Sequence, residues 1–126
     1  MPRSLKELLA EAQAVVPAIT PQEAAALMAP GDVLVVDVRD APELQGGGKI
    51  KGAVHVSRGM LELRADPDSP AHDPAFRRNK TVLVYCGSGV RAALAGKTLK
   101  DFGYTDVRNL GGFQGWVAAG GAVEKV

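Results

Sequence analysis

Two stretches of the chain are apolar almost without a break. "DVLVVDV" (32–38) and "TVLVY" (81–85) are rich in β-branched residues and read as strands buried on both faces. "AVHV" (53–56) and "DVRNL" (106–110) are shorter strand candidates. Between these runs the pattern turns helical. Ser4 and Glu7 form an S-x-x-E capping arrangement ahead of Leu8 and Leu9. It predicts a helix over about 4–16 that stops before Pro17. Thr20, Pro21 and Glu23 repeat the signal, so "PQEAAALMA" predicts a second helix ending at Pro30 and Gly31. "RGMLELRA" reads as helical, and "RAALAGKTLKDF" (91–102) as a helix stopped by Gly103. A brief helix is expected around Phe113–Ala119. "RDAPEL" reads as a loop entering a helical turn, "QGGGKIKGA" as a glycine-rich loop, and "DPDSPAHDP" (66–74) as a proline-rich surface loop.

Strands thus alternate with helices. The expected fold class is α/β, a small parallel sheet flanked by helices on both faces. No internal repeat or linker interrupts it. In such sheets ligands bind beyond the carboxyl ends of the strands. Two loops should meet there: "RDAPEL", after Asp37 and Val38, and "CGSGVR", after Tyr85.

Composition narrows the function classes. The chain has 126 residues, 46% of them apolar, enough for one domain with a real core. Fifteen basic against 14 acidic residues leave a net charge of +1, which argues against bulk nucleic-acid or membrane binding. A single cysteine rules out an internal disulfide framework and a multi-cysteine zinc site. His55 and His72 are too few and too far apart to suggest a metal cluster, and no metal or cofactor is expected. Glu7 and Glu11 interrupt any apolar signal region, and no run reaches membrane-spanning length. The expectation is a soluble cytoplasmic protein whose lone thiol stays reduced.

That thiol stands in "YCGSGVRA" (85–92), between a buried strand and a helix. The first N–H groups of such a helix lack intrahelical partners. Gly87 and Gly89 let the backbone of residues 87–91, Ser88 and Val90 included, converge on one point as an anion nest. The helix dipole adds roughly half a positive charge. Cys86 is expected at the mouth of that nest with a depressed pKa. Arg91 is an oddity, a cation at the positive end of a helix dipole, where it needs an anion nearby.

Three readings compete. Cys86 could be a small buried core residue beside a turn. "GSGVRA" also satisfies the dinucleotide fingerprint G-x-G-x-x-A, but the acid required some 20 residues on is replaced by Asn109, Leu110 and Gly111. "AGKT" (95–98) resembles the end of a Walker loop, yet the position of its first glycine holds Arg91. The third reading is nucleophilic sulfur chemistry in an anion cradle.

The loop "CGSGVR", the segment "VVDVRDAPEL", "GKIKGAVHV" and the tail "NLGGFQGWVAAGG" together resemble a single-domain rhodanese over about residues 18–123. The resemblance implies a rhodanese-like fold in residues 18–126, with residues 1–17 as a helical extension. It implies a thiosulfate sulfurtransferase whose catalytic cysteine is Cys86. Related phosphatases use a cysteine-to-arginine loop one residue longer, C-x5-R. Here the spacing is C-x4-R, a smaller cradle that suits one sulfur atom. A small anionic sulfur donor and a thiol, cyanide or protein acceptor are the expected partners. A sulfur-carrier module, or a cysteine phosphatase or arsenate reductase, are the alternatives.

Supporting roles follow residue by residue. Arg91 anchors the loop or the donor, and Gly87, Ser88, Gly89 and Val90 bind the transferred sulfur. Asp37 pairs with Arg39 or Arg91 and orients the loop, or serves only as a loop cap or surface ion pair. Glu43 matches an acidic position common in the family and is otherwise a solvated helix residue or structural pair. His55 reads as a strand residue and His72 as loop surface. Lys49 departs from the family's usual histidine. Arg58 could reach the site rim and recruit an anionic donor, or simply face solvent. Phe113 and Trp116 anchor the last helix in the core.

Overall fold

The computed structural model describes residues 2–126. Helices α1 (Leu5–Val15) and α2 (Pro21–Met28) begin where their capping boxes predict. The Ser4 hydroxyl accepts the Glu7 N–H at 3.1 Å, and the Thr20 hydroxyl accepts that of Glu23 at 3.1 Å. Strand β1 (Val33–Asp37) leads into α3 (Ala41–Leu44). Then come β2 (Lys49–Ile50), β3 (Val54–His55), a 3-10 turn at Arg58–Met60 and α4 (Leu61–Ala65). Strand β4 (Thr81–Cys86) feeds α5 (Val90–Asp101), and β5 (Val107–Gly112) feeds α6 (Phe113–Ala118) before β6 (Val123–Glu124).

The main sheet has the order β3-β1-β4-β5, all parallel. β1 and β4 are its inner strands, which explains their unbroken apolar runs. Their side chains alternate between two cores. Leu34, Val36, Val82, Val84 and Cys86 pack with Ala92, Ala95 and Leu99 of α5. Val35, Leu83 and Tyr85 pack with Ala24 of α2 and Phe113 and Trp116 of α6. Phe113 and Trp116 are core residues, as expected.

The structure departs from the sequence reading in three places. Within the glycine-rich stretch, Lys49 and Ile50 form β2, paired antiparallel with β6 near the far end of the chain. Strand β5 extends two residues further, to Gly112, after a bulge opposite Val84 and Tyr85. Cys86 belongs to β4 as its last residue instead of opening the loop. That one residue decides its environment, because strand alternation turns the side chain onto the α5 face.

Candidate active site

The backbone turns from β4 into α5 in three residues, 87–89. Gly89 makes the turn possible: its φ of +95° lies in the left-handed region that other residues avoid. In that conformation the Gly89 N–H donates to Cys86 Sγ at 2.9 Å, and the Ala92 N–H donates at 3.4 Å. The sulfur thus lies at the base of the cradle, not at its mouth, and Cys86 has no exposed surface. Both donors are directed at the point where negative charge on sulfur would reside.

Arg91 finds its anion, but in Glu43. Its two terminal nitrogens donate to the two carboxylate oxygens at 2.7 and 2.9 Å, a two-pronged pair. Glu43 also accepts the Asp40 N–H at 2.8 Å. The Arg91 contact first, and that backbone contact second, hold the Glu43 carboxyl down at about 2. The pair stands beside Gly87 and ties α3 to the start of α5. The charge of Arg91 is therefore answered by the protein itself, where the sequence reading had looked to a thiolate and a bound anion.

Asp37 pairs with Arg39 and not with Arg91. Both are buried. Asp37 accepts from Arg39 Nε at 3.1 Å, Arg39 Nη2 at 2.8 Å, the Arg39 N–H at 2.9 Å and the Tyr85 hydroxyl at 2.6 Å. Arg39 lies over the Phe113 ring, 4.3 Å from its centroid, and donates to the carbonyl oxygens of Gly48 and Glu43. Burial, with the hydrogen bond to Asp37, pushes the Tyr85 hydroxyl pKa up. This cluster sits behind the site. It meets the loop through Glu43, whose backbone Arg39 holds and whose carboxylate holds Arg91.

The remaining candidates divide. Arg58 donates to Glu62 at 2.9 Å and to the Thr98 hydroxyl at 3.1 Å. Thr98 lies about two turns along α5 from the loop, so the Arg58 guanidinium is not brought to the cysteine. His55 Nε2 contacts the Arg39 carbonyl oxygen at 2.7 Å, and His72 Nε2 that of Phe76 at 3.1 Å. Lys49 contacts Glu124 across β2 and β6. Ser88 and Val90 line a cleft of about 240 Å³ beside the loop, with Leu9 and Gln13 of α1, Ile19 and Asn109.

Ala92, whose N–H reaches the sulfur, lies outside the 87–91 cradle expected from the sequence, and two further residues escaped that reading. Asn109 donates from Nδ2 to the Gly89 carbonyl oxygen at 3.1 Å, while its Oδ1 accepts the Gly111 N–H at 2.8 Å. Gly112 is packed so closely against the Gly87 carbonyl that a Cβ there would collide with it. A polar residue inside "DVRNLGG" is the one local sign of this clamp.

The rhodanese-like domain family matches residues 20–119. The chain is 32% identical to the thiosulfate sulfurtransferase PspE of Escherichia coli. That match covers 63% of this chain and 69% of PspE. It is 35% identical to YqhL of Bacillus subtilis over 65% of this chain, but the match spans only 59% of that protein's length. A Rhodopseudomonas palustris protein of unknown function, named a possible tyrosine phosphatase, superposes with a TM-score of 0.90 at 41% identity. There 98% of this chain and 96% of the other are covered. The homodimeric polysulfide-sulfur transferase of Wolinella succinogenes superposes with a TM-score of 0.76 at 33% identity, covering 96% and 87%. With the family match running from the N-cap of α2 to the C-cap of α6, the chain belongs to the rhodanese-like domain family.

Proposed function

We propose that this protein is a sulfurtransferase that carries a sulfane sulfur as a persulfide on Cys86. One observation supports the reading most: the only cysteine receives two backbone N–H groups at the base of a four-residue-spaced Cys-to-Arg loop. The likeness to PspE and to the Wolinella transferase supports the same reading.

In the proposed cycle, the Cys86 thiolate attacks the outer sulfur of thiosulfate. The S–S bond of the donor breaks, and sulfite leaves with its electron pair. Cys86 now carries a persulfide anion. The new terminal sulfur is held by loop N–H groups in place of the original thiolate. A nucleophile such as cyanide or a thiol then takes that sulfur and restores the thiolate. Arg91, braced by Glu43, keeps the loop closed around the sulfur. Because Cys86 has no exposed surface, residues 87–89 must yield locally for either partner to reach it. That favours reactants whose reacting atom is the tip of a narrow group. A lone thiol used this way suits a reducing compartment such as the cytoplasm.

The name of the Rhodopseudomonas relative favours a second reading, phosphate-ester hydrolysis. The short loop speaks against it, as does Arg91, whose fork is already committed to Glu43. Delivery of the sulfur to a partner protein is a variant of the first reading.

Intact mass after incubation with thiosulfate tests this. A gain of one sulfur atom, absent in Cys86→Ala and removed by cyanide with release of thiocyanate, is the expected result. No gain, together with hydrolysis of an aryl phosphate, would sink sulfur transfer in favour of the phosphatase. Loading without turnover to cyanide or small thiols would point to a carrier.

A further inference from the structure

The hydrogen bond from Gly89 to the sulfur depends on a backbone conformation that the loop alone does not secure. Gly89 combines a φ of +95° with a ψ of −11°, and glycine has the widest choice of alternatives. Residues 87 and 88 are exposed, and the contacts made there, Gly112 against the Gly87 carbonyl and the Arg91–Glu43 pair beside Gly87, bear on Gly87 and not on the Gly89 carbonyl. From outside the loop and its helix, Gly89 is met by the backbone of Gly111 and by one polar side chain. Asn109 Nδ2 donates to the Gly89 carbonyl at 3.1 Å. That oxygen also accepts the Ala93 N–H at 3.0 Å, so both of its acceptor sites are used.

Asn109 is itself fixed with unusual completeness. Its Oδ1 accepts the Gly111 N–H at 2.8 Å, which sets the amide so that nitrogen faces Gly89. Its backbone N–H donates to the Pro17 carbonyl at 2.8 Å, and its carbonyl accepts the Ile19 N–H at 3.0 Å. The segment between α1 and α2 thereby forms a parallel bridge to β5 at Ala18 and Asn109. The register of that bridge places the Asn109 side chain at the loop. A continuous chain of contacts runs from residues 17–19 through Asn109 and Gly89 to Cys86 Sγ.

We propose that Asn109 is a positioning residue for the chemistry of Cys86: it locks the Gly89 turn so that the Gly89 N–H faces the sulfur. The link from residues 17–19 extends the active-site scaffold to the segment that follows α1, which lies just ahead of the family match at residues 20–119. Asn109 does not contact the reacting sulfur and acts through Gly89. The kinetic arm of its test rests on the sulfur-transfer reading, whereas the spectroscopic arm does not.

Asn109→Ala and the shape-filling Asn109→Leu both remove the donor. Thiosulfate-to-cyanide turnover should fall about tenfold in kcat, the scale of one hydrogen bond to a charged group, with KM for thiosulfate within about twofold. In nuclear magnetic resonance spectra, the Gly89 amide proton of both variants should lose the shift and the exchange protection that its bond to sulfur confers. Unchanged kcat and an unchanged Gly89 amide in folded variants would overturn the proposal, even if thermal stability drops. The wild-type protein supplies a check that needs no variant. The Asn109 side-chain amide should be protected from exchange and should shift when Cys86 is alkylated, and a freely exchanging amide indifferent to Cys86 would also overturn it. If wild-type protein takes up no sulfur while the Gly89 amide responds as stated, the sulfur-transfer reading fails and the positioning role stands.

Discussion

An arginine one residue into a helix opposes the helix dipole, and Arg91 remains there because Glu43 meets it with both carboxylate oxygens. Both side chains are more than one-third exposed, so the pair is worth no more than about 1 kcal/mol to the fold. Its value is geometric, since it holds the α5 end of the loop against α3. Glu43→Gln should therefore cost little stability at neutral pH while lowering sulfur-transfer turnover several-fold. The pH dependence has a defined sign. The folded-state pKa of Glu43, about 2, lies below its ordinary value of 4.5. The pair's contribution is thus fully present above about pH 4.5 and is lost as pH falls toward 2. Denaturant titrations of the two proteins should differ by a constant amount above that window and converge within it. A difference that vanished near neutral pH instead would assign the effect to another group.

Among the elements, the packing of α1 on α5 depends on one missing side chain. Gly96 lies mid-helix in α5, where glycine costs about 1 kcal/mol against alanine in propensity. A Cβ at that position would come within 2.8 Å of Val16 Cγ1 and 3.0 Å of Val16 Cγ2. Close approach of the chain after α1 thus outweighs the propensity loss. Gly96→Ala should destabilise the protein by about 1–3 kcal/mol despite its better helix propensity. Adding Val16→Ala should recover part of that loss, giving a favourable coupling in a double-mutant cycle. Additive effects would show that the two residues do not press on each other. The elements themselves were readable because their signals are local. Ser4 with Glu7, and Thr20 with Glu23, lie three residues apart and act on their own helix. β2 was not readable, because its pairing with β6 joins Lys49 to Glu124, 75 residues away.

For the whole molecule, we propose that residues 18–126 are the domain and residues 1–17 an extension laid along it. Chain 17–126, which keeps the Pro17 carbonyl that holds Asn109, should still unfold cooperatively. It should be less stable by about 2–4 kcal/mol, from the loss of buried Ala12 and Val16. A non-cooperative melt would make α1 part of the domain's own core. Taken alone, the sequence determined the α/β alternation, the two inner strands, the helix caps and the position of a lone cysteine at a strand end. Each follows from residues within a few positions of one another, where periodicity and backbone sterics act. The tertiary structure alone decided which groups that cysteine answers to. Glu43 meets Arg91, and Tyr85 meets Asp37, across 48 positions, while Asn109 meets Gly89 across 20. No local pattern selects such partners. They are chosen when parallel strands align in register and bring distant side chains to the same edge of the sheet. The same alignment, ending β4 at Cys86 and not before it, turned the sulfur inward to the base of its cradle.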